Sequence, residues 1–286
     1  MKVAHLITSK VFAGIEQHVF ELATAMDSQT DHVILCDKSL VDYMSGVPAH
    51  PITMGSRLSP INIIKLVHFV WKNNVDILHC HGAKASAIGG WVGLITRLKI
   101  VSTIHGLKSH NRSVKYADSV IGVNKEVVKG MPQATVIPNW FNPAHQGLSS
   151  SRTGPVVAVG RLEKVKGFDL LINAWVNIKE DLIIIGSGKE YDSLTNLITK
   201  HNLGTKVQII AEMSQEELTN YYQKASMLII SSRSEGGPRV ALEALYQEIP
   251  VISTNVGHMP EILPKELLAE PNNLDSLKEL VETYAG

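Results

Sequence analysis

The chain has 286 residues, 44% of them hydrophobic, and its 27 Lys and Arg balance 27 Asp and Glu to a formal net charge of zero. That is enough length and apolar content for two domains of ordinary size, each with its own core, and with no aromatics interleaved among the cations and no nucleic-acid motif, DNA and RNA are excluded as expected partners. No apolar run approaches a membrane span, and Lys2 to Ile7 is too short for a signal peptide and reads as a first strand, so a cytoplasmic protein is expected, soluble or held at the inner face of the plasma membrane.

Strand candidates alternate with helical ones from the start. Strands over Val3 to Ile7, His32 to Cys36 and Val75 to Cys80 are each followed by a helix, from Ile15, Ile61 and Lys84, and further strands fall at Ile100 to Ile104, Ser119 to Val123 and Thr135 to Ile137. The rhythm predicts right-handed βαβ units around a parallel sheet. Cys36 and Cys80 end strand-like runs and are expected as buried free thiols rather than a disulfide or a metal site. Turn formers then crowd Pro138 to Pro155, with Asn142-Pro143, Gly147, the serines Ser149 to Ser151 and Gly154-Pro155. They mark a linker that divides an N-terminal domain, 1–145, from a C-terminal one, 146–286. Beyond it the alternation restarts with strands over Val156 to Val159, Leu182 to Ile185, Val207 to Ile210, Met227 to Ile230 and Val251 to Ser253, and a last helix over Leu274 to Tyr284. The fold class implied is α/β, with two Rossmann-like parallel-sheet domains facing across a cleft and ligands at the carboxyl ends of strands.

The most informative stretch runs from Ser231 to Leu245. Met227 to Ile230 reads as a buried strand, Ser231 to Gly237 as the loop at its end, and Pro238 as the first helical residue, where a missing N–H costs nothing. Free amides at such a helix start favour an anion such as a diphosphate, and Gly236 and Gly237 let it approach the backbone. Glu235 and Glu243 would repel that anion and are better placed to accept hydrogen bonds from hydroxyls on either side of it; read blandly, one is a solvated loop acid and the other a helix-surface acid. After Val156 to Val159 comes Gly160-Arg161-Leu162-Glu163-Lys164-Val165-Lys166-Gly167. Here Arg161 can fork onto two phosphate oxygens and Lys166 can add a point charge, while Lys164 reads as a solvated surface cation.

The Gly160 to Gly167 loop, the Glu235 to Glu243 spacing, the Pro250 to Thr254 strand and the run Gly257 to Ile262 together resemble family 4 of the retaining GT-B glycosyltransferases, densely from Val156 to about Leu263. Thinner matches in the first half are Gly14-Ile15-Glu16, Asp76 to His81, Thr103-Ile104-His105-Gly106 and Val136 to Asn139. The resemblance implies transfer of a sugar, with retained configuration, from a nucleoside-diphosphate sugar to a glycan or lipid-linked acceptor, as in bacterial surface polysaccharide or lipopolysaccharide synthesis. No cofactor and no metal are expected, and a uridine donor is the default. It also implies that Arg161, Lys166 and the amides at Gly236 and Gly237 hold the diphosphate, that Glu243 takes the ribose hydroxyls, and that Glu235 takes those of the transferred sugar. Stabilisation of the leaving diphosphate is then the largest catalytic contribution. In the first domain His105 is the catalytic candidate near the transferred sugar, with His79 and His81 as rivals, and Gly14 either admits the donor phosphate or is a turn glycine. Departures from the family pattern are Ala13, Trp140 and His258, each where a glycine is usual.

Charge is unevenly shared, with 14 Lys and Arg against 9 Asp and Glu in residues 1–145 and 13 against 18 in residues 146–286. Between Asp76 and Asp118 there is no acid, while Lys84, Arg97, Lys99, Lys108, Arg112 and Lys115 fall there. This basic stretch is read as a peripheral contact with anionic membrane, as scattered solvated charge, or as one side of an attraction between the two halves. Rival functions stay open. A dinucleotide oxidoreductase is weakened by Gly186-Ser187-Gly188, which lacks the third glycine. A nucleotide-sugar epimerase of the same fold and a non-catalytic partner that only binds nucleotide sugar are the alternatives.

Overall fold

Runs of Val, Ile and Leu with no polar alternation are what strands buried on both faces look like, and here they form two all-parallel sheets. The computed structural model describes residues 1–26, 30–52, 54–56, 59–106, 112–140 and 152–285. The chain divides into two units, Met1–Asn139 and Trp140–Gly286. The expected boundary between residues 145 and 146, the turn-rich tract 141–151 and the cation Lys108 lie outside the described residues.

The first unit contains strands β1 (Lys2–Leu6), β2 (Asp31–Cys36), β3 (Ala49–Pro51), β4 (Ile77–His81), β5 (Lys99–Ile104), β6 (Ser119–Gly122) and β7 (Thr135–Val136). They are ordered β3-β2-β1-β4-β5-β6-β7, with helices α1 (Gly14–Ala25), α2 (Pro60–Lys72) and α3 (Gly82–Thr96) as crossovers. The second unit repeats the plan. Strands β8 (Val156–Val159), β9 (Leu182–Ile185), β10 (Val207–Ile210), β11 (Met227–Ile230), β12 (Val251–Thr254) and β13 (Leu268–Ala269) are ordered β10-β9-β8-β11-β12-β13. Its helices are α4 (Phe168–Ala174), α5 (Tyr191–Lys200), α6 (Gln215–Lys224), α7 (Arg239–Tyr246), α8 (Met259–Ile262) and α9 (Leu274–Tyr284). In both units the strand order reverses beside the first strand, at β1/β4 and at β8/β11, and a doubly wound sheet opens its ligand crevice at such a switch point.

Both faces of the second sheet are packed. Val156, Ala158 and Leu182 meet Leu171, Ile172 and Trp175 on one side, and Val157 and Leu228 meet Tyr222, Ala241 and Ala244 on the other. Trp175 is wholly buried, and its indole N–H donates to the Glu180 carbonyl at 2.9 Å, so the one polar atom on that ring is satisfied. Truncating Leu171 to Ala would cost about 2–5 kcal/mol in such a site. Cys36 and Cys80 are free and buried; burial, with Asp37 adding to it, pushes the Cys36 thiol up to about 11, and burial alone raises that of Cys80.

Among the elements not foreseen are β3, β13 and the 3₁₀ segment Lys38–Met44. The first two are edge strands of two or three residues, and Pro51 in β3 is tolerated only because an edge leaves its nitrogen unneeded. The expectation for Pro238 is corrected by one residue. It is the N-cap of α7, with φ −66° and ψ 111°, and Arg239 is the first helical residue. Its extended ψ turns the chain out of the loop before the helix begins.

Candidate functional site

At the second switch point, β8 is followed by Gly160 and β11 by Ser231. Lys164–Lys166 make one 3₁₀ turn, and Gly167 follows at φ +69°. A Cβ on Gly167 would lie 2.0 Å from the Ser231 carbonyl oxygen, so this position requires both glycine's dihedral freedom and its missing side chain. The loops after β8 and β11 therefore touch backbone to backbone. The Ser231 hydroxyl donates to the Lys166 carbonyl at 3.0 Å, and Arg233 closes the seam from the other side. Its guanidinium forks onto Asp169 at 2.7 and 2.8 Å and also donates to the Lys164 carbonyl and the Asn272 side chain, each at 2.7 Å. Burial alone would raise the Asp169 carboxyl, but the Arg233 hydrogen bonds and charge outweigh it and hold the group below its ordinary value.

That seam fixes the Lys166 side chain. Its Nζ sits 2.5 Å from Glu235 Oε1, and the Ser232 hydroxyl donates to the same oxygen at 2.7 Å. The two charged side chains are only 19% and 15% exposed, so their attraction is less screened than at an open surface. Thr254, at the end of β12, donates to the Ser232 carbonyl at 2.6 Å and ties a third strand end to the group. Arg161 differs. Its side chain is 54% exposed and pairs with Glu163 at 2.8 Å, without touching the Lys166–Glu235 pair among the hydrogen bonds and ion pairs described.

Glu243 is not the surface acid of the bland reading. It lies on the packed face of α7, 6% exposed, and accepts from the fully buried Tyr222 hydroxyl at 3.2 Å. Burial, with the Glu243 carboxylate beside it, pushes that hydroxyl well above its ordinary value, so Tyr222 remains a donor. The chain thus carries Glu235 in the loop and Glu243 within α7, with Gly236, Gly237 and Pro238 between them. Gly257 (φ +57°) comes so close to this loop that a Cβ there would stand 2.9 Å from the Gly236 carbonyl oxygen. The next residue, His258, is 4% exposed, and neither ring nitrogen has a hydrogen-bond partner among the described residues. Burial lowers its pKa, while the charges of Glu261 and Glu235 oppose that shift.

The first switch point is chemically different. Parallel register sets His5 of β1 beside His79 of β4, and His81 lies two residues on, on the same face. His105 follows β5, and α1 brings in His18. Ring centroids are 4.1 Å apart for His79–His81, 4.7 Å for His18–His105 and 5.3 Å for His5–His79. His5 Nδ1 lies 3.4 Å from His81 Nε2, His81 Nδ1 lies 3.3 Å from His105 Nε2, and His79 Nε2 meets the Thr103 hydroxyl at 2.7 Å. Burial lowers His5 to about 3 and His79 to about 4, and lowers His81 well below its ordinary value, with neighbouring histidines adding to each shift. The sequence reading weighed His79, His81 and His105 as rivals; the fold makes them one cluster. Gly14 is the exposed first residue of α1, whose Glu16 carboxylate accepts from the Ala13 N–H at 3.0 Å and from the Ser9 hydroxyl.

Sequence reasoning missed Arg233, His5 and His18 altogether and noted His258 only as a departure. Alternation along β1 and the helical spacing of α1 were the available signals, since both place these histidines on inward faces.

Comparison with known proteins agrees with this geometry in both halves. The family profile described as glycosyl transferases group 1 matches residues 146–284, and that of glycosyltransferase family 4 matches residues 12–145. An uncharacterized glycosyltransferase of Methanocaldococcus jannaschii is 29% identical over 297 residues, which takes in 94% of this chain and 83% of that protein. The amylovoran biosynthesis glycosyltransferase AmsD of Erwinia amylovora is 33% identical over 101 residues, 34% of this chain and 28% of its own length. The crystal structure of Anabaena HepE in complex with UDP and glucose superimposes with a TM-score of 0.85 at 19% identity, over 99% of this chain and 89% of that one. Matched along both halves and built from two parallel-sheet α/β domains, the chain belongs to the group 1, family 4 glycosyltransferases of the GT-B fold.

Proposed function

We propose that this glycosyltransferase moves a hexose, with retention of configuration and without a metal, from a uridine-diphosphate sugar to a glycan or lipid-linked acceptor in surface polysaccharide synthesis. The observation that carries the reading is the Lys166–Glu235 pair, 2.5 Å apart at the end of β11, with the start of α7 and the buried Glu243 following in the chain. A diphosphate arriving at the α7 amides would compete for Lys166 and release Glu235 to accept from sugar hydroxyls, while Glu243, oriented by Tyr222, would accept from the ribose. Arg161, on its exposed loop, would swing from Glu163 to the departing phosphate. Together these cations and amides stabilise the charge that develops on the leaving group. His105 would act at the transferred sugar, Gly14 would admit the donor phosphate, and the ring nitrogens of His258, without a hydrogen-bond partner among the described residues, would reach the donor. The complexes of HepE with UDP and with UDP-glucose support the donor class, and the role of AmsD in amylovoran biosynthesis supports the kind of product.

A peripheral contact of the first unit with anionic membrane belongs to the same reading. Ile61, Ile64 and Trp71 on α2 and Trp91, Leu94 and Ile95 on α3 are exposed at helical spacing, and Arg97, Arg112 and Lys115 are exposed nearby in sequence. Part of the basic stretch is already engaged. Lys84 donates to the Met54 carbonyl at 2.9 Å and Lys99 pairs with Asp118 at 2.9 Å. No helix among the described residues is long and apolar enough to cross a membrane.

The test is a thermal-shift panel of UDP-, GDP- and ADP-sugars, each with and without chelator. A donor at about 100 times its Kd stabilises the native state by about 2.7 kcal/mol. No response to any nucleotide sugar, or a response that vanishes with chelator, would overturn the proposal. Product analysis then separates the rivals: sugar on an acceptor supports the transferase, isomerised donor an epimerase, and binding without turnover a partner subunit.

A further inference from the structure

The histidine cluster asks for a purpose that folding does not give it. Several imidazoles buried together lose hydration, and the deepest of them, His5, leaves Nε2 with no hydrogen-bond partner among the described residues. An apolar residue at these inward positions would pack without that cost. What the cluster offers is lone pairs. His18, His81 and His105 each turn a ring nitrogen toward the others, and the three atoms lie within 4.8 Å of one another.

The spacing between two of them favours an ion over a hydrogen bond. His81 Nδ1 and His105 Nε2 are 3.3 Å apart, beyond the usual range for an N–H donor. Two nitrogens held at 2.0–2.1 Å from a tetrahedral Zn²⁺ stand about 3.3–3.4 Å apart. On the far side of the His81 ring, Nε2 faces His5 Nδ1 at 3.4 Å, so a further imidazole packs against the ring there and limits its rotation. His18 comes from α1 and His81 from β4, so helix and sheet fix these ligands independently.

We propose that His18, His81 and His105 form a three-imidazole site for a late first-row divalent cation, Zn²⁺ in the first instance. Neutral imidazoles suit Zn²⁺, Co²⁺ or Ni²⁺, whereas a donor set without carboxylate or carbonyl oxygen offers nothing to Mg²⁺ or Ca²⁺. The ion has no part in the leaving-group chemistry proposed above and stands or falls separately from it. Its effect would be regulatory: an occupied site takes the His105 lone pair, so metal binding and sugar transfer at His105 compete.

The test titrates Co²⁺ into the chelator-treated full chain and reads the visible d–d bands. Expected are bands of tetrahedral intensity that saturate at one equivalent, vanish with one equivalent of Zn²⁺ and persist in a hundredfold excess of Mg²⁺. His81→Asn and His105→Asn should each weaken Co²⁺ binding at least tenfold, and the exposed His68→Asn should not. Where His81→Asn lowers the metal-free melting temperature, His105→Asn decides, because its side chain is half-exposed. Absence of the bands, or binding unchanged in His105→Asn, overturns the site and leaves the cluster a bare chain of imidazoles. Because the readout is a spectrum, failure of the transferase reading leaves it intact.

Discussion

The two units share one strand order and fill it with opposite chemistry. At the β8/β11 switch point the strand ends carry full charges, Lys166 against Glu235 and Arg233 against Asp169. At the β1/β4 switch point they carry imidazoles kept neutral by burial. A doubly wound sheet therefore decides where chemistry sits and leaves open which chemistry. Charged pairs suit a site that must exchange partners with an anion, and neutral rings suit one that donates lone pairs or moves a proton.

The sharpest way to break this contrast is to remove a charge from the second unit. Lys166→Ala should lower kcat about 100- to 1000-fold, equivalent to about 2.7–4 kcal/mol of lost leaving-group stabilisation. Transfer kinetics with a responsive donor measure it, and a loss below threefold would mean that the leaving group does not rely on this cation. The first unit should respond instead to acid. His5 and His79 have folded pKa values of about 3 and 4, below the unfolded value near 6.5, so between those limits the unfolded chain binds more protons. Their contribution is intact above about pH 6.5 and is lost as pH falls toward 4, by about 2 kcal/mol for each histidine at pH 5. Asp169, depressed in the second unit, gives its contribution up only below the ordinary carboxylate range. Urea unfolding at pH 7, 6 and 5, with limited proteolysis to separate the units, should show the first unit yielding earlier.

Smaller effects sharpen the same comparison. Gly167→Ala should destabilise the second unit by about 1–3 kcal/mol, because its Cβ meets backbone that cannot yield. Gly106→Ala beside the histidines, where a Cβ meets nothing within 4 Å among the described residues, should change stability by less than about 0.5 kcal/mol. Melting curves of the pair test it. Tyr222→Phe should cost about 1 kcal/mol in stability and raise the donor KM more than it lowers kcat, since it removes the Tyr222 hydrogen bond that orients Glu243 without touching the leaving group.

Most of the strand framework was legible because a strand buried on both faces is a plain apolar run, as Leu182–Ile185 and Met227–Ile230 are. The short strands β3 and β13 were not, since two or three residues with one solvated side carry no such run. The loop at Glu235 was legible from its glycines and its helix start. The burial of Glu243 was not, because it depends on α6 delivering Tyr222 from 21 residues upstream. The histidine cluster needed strand register as well as strand identity: His5 beside His79 and His81 beside Thr103 are facts of pairing that no single segment encodes.

The contact between Lys166 and Glu235 has a consequence for turnover. In the ligand-free protein each group already satisfies the other, so a donor sugar exchanges one set of partners for another, and both groups leave the exchange occupied. A bare nucleoside diphosphate would take the lysine and leave Glu235 with the Ser232 hydroxyl but no sugar hydroxyl in exchange. On the proposed reading, spent nucleotide would be held less firmly than the intact donor, and Glu235 would help evict it as the pair closes again.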